Sequence, residues 1–89
     1  MKSNDIELVN LKDNIIKFLA NELAIDTSQI NNQSLIFSTG IIDSFSLISL
    51  IAFLEKQLGF QINAMDINLD NLDSIERIVT YVNRITAIP

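Results

Sequence analysis

Ser44, directly preceded by Asp43, has the best placement for chemistry in this sequence. The pair stands where a polar stretch, 26–43, gives way to an apolar run that starts at Phe45. Serine and aspartate are both common helix N-caps, so one reading of the pair is a plain cap. The other reading is an exposed hydroxyl at the positive end of a helix dipole. An anionic group attached there is favoured by roughly 0.3–1 kcal/mol. Ser44 is not a self-activated nucleophile, because the chain has no histidine and Ser44 has no adjacent lysine. Its hydroxyl can still be modified by another enzyme.

The other candidates are weaker. Asp66, Asp70 and Asp73 could suggest a calcium site, but they lack the spacing, turn glycine and terminal glutamate of an EF-hand loop. Acidic loop residues that cap a helix are the favoured reading. Paired carboxylates could suggest hydrolysis, yet no pocket-forming architecture accompanies them. The absence of cysteine and histidine removes disulfides, thiolate catalysis, Cys/His zinc sites and a histidine base. No catalytic residue and no metal are expected.

The elements that must position Ser44 follow from periodicity. Leu8, Leu11, Ile15, Phe18 or Leu19, and Leu23 recur at helical steps, after a capping-box spacing of Asn4 and Glu7. The stretch 26–43 is a long connection, with Leu35 and Phe37 expected to pin it and Gly40 to close it. Ser44 to Leu58 reads as a helix capped by Asp43 and ended by Gly59. Its apolar residues, Phe45 to Leu58, form a stripe too wide for one buried face, so some must be exposed or reserved for a ligand or partner. A short helical turn is expected within 60–72. A last helix begins with a capping-box-like Asp73 and Glu76 and buries Ile75, Ile78, Val79, Val82 and Ile85, and Pro89 ends the chain. The expected fold is all-α: a small four-helix bundle of three main helices and one short one, in a single domain over 1–89.

Composition bounds the function. The 89 residues are 48% hydrophobic and 19% charged, which suits a folded domain with a thin core rather than a disordered tail. Eleven acids against six bases give a net charge of -5, which argues against nucleic acid as the main partner. The longest unbroken apolar run, Leu50 to Leu54, is far short of a membrane span. A cytoplasmic protein without membrane insertion, and a monomer, is expected.

Gly40-Ile41-Ile42-Asp43-Ser44-Phe45-Ser46-Leu47 resembles the attachment motif of acyl and peptidyl carrier proteins. The likeness continues through Leu54 to Ile62, which looks like the end of that family's second helix. Asn71 to Ile78, with Tyr81 and Val82, looks like its final helix. The resemblance implies an acyl-carrier-protein-like fold and a 4′-phosphopantetheine arm, taken from coenzyme A by a phosphopantetheinyl transferase and carried on Ser44. Asp43 would cap the helix and help present Ser44. Acyl intermediates would ride as thioesters to partner enzymes of a specialised fatty-acid, polyketide or related pathway, after loading by a ligase or transferase. Ile48, Ile51, Leu54, Ile62 and Ile67 would line an acyl-chain cleft. Phe45, Ser46, Ile48, Ser49, Ala52 and Glu55 would form the docking face. Where the familiar fatty-acid carrier is strongly acidic along this helix, the present chain has Ser46 and Ser49, so docking should lean on apolar contacts. Two alternatives stand beside this: an aminoacyl or peptidyl carrier loaded by an adenylating ligase, and an unmodified helical adaptor that uses the wide apolar stripe.

Overall fold

The computed structural model describes residues 10–86. The Asn4–Glu7 spacing, Leu8 and Pro89 lie outside the described residues. Within them the chain is all-helical, with helices α1 (Leu11–Asn21), α2 (Ser44–Leu58), α3 (Leu69–Leu72) and α4 (Ile75–Thr86). Two 3-10 turns, Thr27–Gln29 and Ala64–Asp66, lie in the connections.

The buried face of α1 is Leu11, Ile15 and Leu19, at steps of four. Past its end the chain turns through Ala24, a non-glycine residue at φ 55°, and the Ile25 N–H donates to the Leu19 carbonyl at 3.0 Å. Helix α2 has the bounds its sequence signals predict. The Asp43 carboxylate accepts the Ser46 N–H at 2.9 Å, and Gly59, at φ 82°, closes the other end. A Cβ at that φ costs about 1 kcal/mol or more, which is why glycine stands there.

Helix α4 begins differently from the sequence expectation. Its cap is Ser74, whose hydroxyl accepts the Arg77 N–H at 3.1 Å and whose carbonyl accepts the Ile78 N–H at 2.9 Å. Asp73 is not the cap: it is turned inward, with 2% of its surface exposed. Glu76 takes no part in a capping box; it is exposed, and its N–H donates to the Asn32 carbonyl at 2.9 Å.

The core joins α1, Leu50 and Leu54 of α2, Leu72 of α3, and Ile75, Ile78, Tyr81 and Val82 of α4. Helix α4 packs on both α1 and α3. Helices α1 and α2 meet through the stacked rings of Phe18 and Phe53, 4.6 Å between centroids, and a 3.2 Å bond from Asn14 Nδ2 to Gln57 Oε1. The long connection contributes Ile36 and Ile42, both buried, as its pins. This corrects the expectation for Leu35, which is 38% exposed, while Phe37 is half-buried.

Two substitutions on α2 separate core from surface. Leu54→Ala should lower stability by about 2–5 kcal/mol, because it opens a cavity at a fully buried position. Phe45→Ala, one helix face away, should stay within about 0.5 kcal/mol of wild type. Denaturant midpoints measure both, and equal losses would contradict this division of the helix.

Candidate functional site

Ser44 is the first residue of α2 and is exposed. Its hydroxyl makes no hydrogen bond within the described residues. Asp43 beside it is extended, with φ -102° and ψ -173°, and its carbonyl accepts the Leu47 N–H at 2.9 Å. The bond from the Ser46 backbone N–H, then the Ser46 side chain, holds the Asp43 carboxyl below its ordinary value. Asp43 is therefore an ionised cap at neutral pH, occupied with Ser46. Ser44 is left free at the positive end of the helix.

What fixes Ser44 in space is the connection before it. The backbone of Asp73 and that of Ile36 meet where the Ile36 N–H donates to the Asp73 carbonyl at 2.7 Å. The Asp73 carboxylate then accepts the Phe37 N–H at 2.7 Å, the Ser38 N–H at 3.0 Å and the Ser38 hydroxyl. The Ile42 N–H closes the loop on the Ile36 carbonyl at 2.9 Å. Burial alone would raise the Asp73 carboxyl. The Ser38 hydroxyl, the two backbone N–H groups and nearby Arg77 outweigh it and hold the group below its ordinary value of 3.8.

Helix α3 and the turn before it form the opposite wall. The Tyr81 hydroxyl donates to Asp66 Oδ2 at 2.8 Å, and burial followed by this bond raises the phenol to about 12. Arg77 Nη1 donates to the Leu69 carbonyl at 3.1 Å, and Arg84 Nη2 to Asn71 Oδ1 at 3.0 Å. Between this wall and α2 lies a cleft of about 200 Å³ lined by Phe37, Leu47, Ile67, Asn68, Leu69 and Leu72. Leu47 is three residues from Ser44, hence on the same side of α2.

The residues expected to line an acyl cleft are spread more widely. Ile67 lines the cleft, whereas Leu54 and Ile62 belong to the core, Ile51 is half-buried and Ile48 is 64% exposed. Leu47 was missed because helical spacing alone does not say which neighbour each face of α2 meets, and Leu72 because it lies on the four-residue α3, too short to show a periodic face. The expected docking residues also divide. Phe45, at 83% exposed, and Ile48 share one outward face near Ser44. Ser49 and Ala52 line a separate groove against α1, and Ser46 is half-buried. Glu55 is not a free docking charge, since its Oε2 accepts the Ile62 N–H at 2.8 Å and ties α2 to the following turn. Of the three aspartates in 66–73, Asp66 and Asp73 are committed to Tyr81 and the loop. Among the described residues no helix is long and apolar enough to cross a membrane.

This geometry, a capped helix with an exposed serine at its first position behind a strapped loop, coincides with a sequence relationship. Residues 13–82 match the family described as the phosphopantetheine attachment site, and the chain belongs to that family of phosphopantetheine-dependent carriers. It is similar to the acyl carrier protein of Chlamydia caviae, 27% identical over 74 residues, which span 83% of this chain and 94% of the relative. It is equally similar to the acyl carrier protein of Chlamydia felis, 27% identical over 74 residues, 92% of the relative. The family's cofactor is covalently attached 4′-phosphopantetheine, and its members are carriers rather than catalysts. An exposed hydroxyl without a partner at the start of α2 fits such an attachment.

The Asp73 bonds carry a pH dependence of definite sign. A carboxyl held below its ordinary value stabilises the fold fully above that value, and the stabilisation is lost as pH falls through the lower folded value. Denaturant midpoints should therefore hold from neutral pH to about 4 and then fall. Asp73→Asn should start lower and lose less over the acid interval. The fall that remains belongs in part to Asp26 and Asp43, also held low, by hydrogen bonds from Ser28 and Ser46. Parallel curves for the two proteins would contradict the assignment.

Proposed function

We propose that Ser44 carries the 4′-phosphopantetheine arm and that the chain, as a single carrier domain over 1–89, presents acyl intermediates to successive enzymes. The observation that carries the reading is the exposed, unpartnered Ser44 hydroxyl at the first position of α2, next to an ionised cap that is already occupied. When bound, the arm supplies a terminal thiol that holds cargo as a thioester.

The chain's own residues do the rest. Ser44 offers its hydroxyl, and the base that takes its proton comes from the transferase, since the carboxylate next to it, Asp43, is engaged with Ser46 and the chain has no histidine. Asp43 holds the first turn of α2 in shape through Ser46, which keeps Ser44 at the helix end. The dipole of α2 favours the negative charge that modification adds. The apolar cleft beside Leu47 offers shelter for a short acyl chain. The names of the two relatives support acyl cargo, and the family membership weighs against an unmodified adaptor.

The partners of this reading are a phosphopantetheinyl transferase, a loading ligase or transferase, and downstream biosynthetic enzymes. Phe45 and Ile48 supply exposed apolar area beside Ser44, and Met65, 85% exposed, adds to the apolar surface. Serines at 46 and 49, where the familiar fatty-acid carrier is acidic, support a specialised pathway.

Ser44→Ala should abolish the mass gain of one phosphopantetheine on incubation with coenzyme A, magnesium and a broad-specificity transferase, while the protein stays folded. A gain that survives the substitution would refute the assignment. Phe45→Ser and Ile48→Ser should each slow transfer to or from a cognate enzyme by roughly tenfold or more, with little dependence on salt. A steep salt dependence in the wild type would place docking on charge instead.

A further inference from the structure

A continuous series of interactions runs from Asp73, at the corner between α3 and α4, to Ser44. The Asp73 carboxylate, 2% exposed, holds the Phe37 and Ser38 N–H groups and the Ser38 hydroxyl. The Asp73 carbonyl holds the Ile36 N–H. Ile36 and Ile42 are both buried and bonded to each other. Ile42 then leads directly into Asp43, whose side chain caps the turn that bears Ser44. Nothing else in the loop is held by a buried charged group: among the described residues the buried polar side chains are Asp73 and its neighbour Ser74.

We propose that Asp73 is a positioning residue for modification: through the loop at 36–42 it sets where Ser44 stands when the transferase engages. The proposal rests on the reading of Ser44 as the attachment residue. A carboxylate suits the place because all three side-chain partners are donors. Oδ1 accepts both backbone N–H groups and Oδ2 the Ser38 hydroxyl; an asparagine keeps the first pair but loses the charge and puts an N–H₂ where Oδ2 stood, so the Ser38 hydroxyl must reverse from donor to acceptor. The loop between Asp73 and Ser44 carries Gly40 at φ 80° and few buried side chains, so a loosened clamp moves the loop rather than the core.

The experiment measures kcat/KM of the carrier in the transferase reaction, with the arm located by mass spectrometry. The variants are Asp73→Asn, Ser38→Ala, Ser38→Thr and Val82→Ala. Val82 is a buried core residue about two turns into α4, so Val82→Ala reports the effect of lost stability alone. Asp73→Asn should load roughly ten- to a hundredfold more slowly, beyond any loss in Val82→Ala. Ser38→Ala should lose less, and Ser38→Thr, which keeps the hydroxyl, should recover wild-type loading. The amide resonance of Ser44 should shift in Asp73→Asn and stay put in Val82→Ala. If Asp73→Asn does not fold, the Ser38 pair decides the matter by itself. Wild-type loading in Asp73→Asn or in Ser38→Ala, or a loss in Asp73→Asn no greater than in Val82→Ala, would overturn the proposal. An arm found on a residue other than Ser44 overturns the attachment reading itself, and the proposal with it.

Discussion

The buried carboxylate of Asp73 and its three donors form the interaction on which the arrangement of this molecule turns. Burying a carboxylate is costly unless its lone pairs are filled, and here two backbone N–H groups and a hydroxyl fill them. The same bonds satisfy backbone groups of a loop that has no regular structure to pair with. One group therefore solves two problems: it closes the corner between α3 and α4, and it ties down the connection that delivers the chain to α2. The 3-10 turn at Ala64–Asp66 is held in a parallel way, by Tyr81 reaching Asp66 from α4. Helix α4 and the corner before it thus hold both walls of the cleft, the loop through Asp73 and the 3-10 turn through Tyr81.

The second constraint is the surplus of apolar residues on α2. A core this thin takes Leu50 and Leu54 fully. Leu47 goes to the cleft and Phe53 to the α1 contact, while Phe45 and Ile48 remain in solvent. Exposed aromatic and aliphatic side chains next to the exposed Ser44 lower solubility without stabilising the fold. A carrier that must be gripped and released by several enzymes has a use for them, since apolar contacts bind without fixing a partner's charge pattern. The polar character of Ser46 and Ser49 on the same helix agrees with that use.

How much of this was legible in the sequence depends on whether a feature is local. Helix α2 was readable to its ends because Asp43 and Gly59 are sharp, local signals. The placement of Ser44 and the family motif around it were readable for the same reason. The start of α4 was misread because Asp73 and Ser74 are both good caps, and the partner that claims Asp73 lies 35 residues upstream at Ser38. Leu35 and Ile36 are adjacent apolar residues in a stretch without periodicity, so nothing local says which one turns inward. Glu55 looked like a surface charge because its partner, the Ile62 N–H, is backbone and carries no sequence signature. The cleft suffered most: its lining comes from the loop, α2, the turn and α3, and helical spacing could supply no more than one side of it.

The central claim is that one serine among several nearby hydroxyls bears the arm. Ser38 and Thr39 in the loop, and Ser46 and Ser49 on α2, are chemically equivalent alternatives within a few residues. Fragmentation mass spectrometry of a proteolytic digest of the transferase-treated wild-type protein distinguishes them directly. The account predicts a single phosphopantetheine, on the fragment ions that contain Ser44 and on none that contain only the other hydroxyls. An arm on any other residue, or none on folded protein that was not modified beforehand, would contradict it.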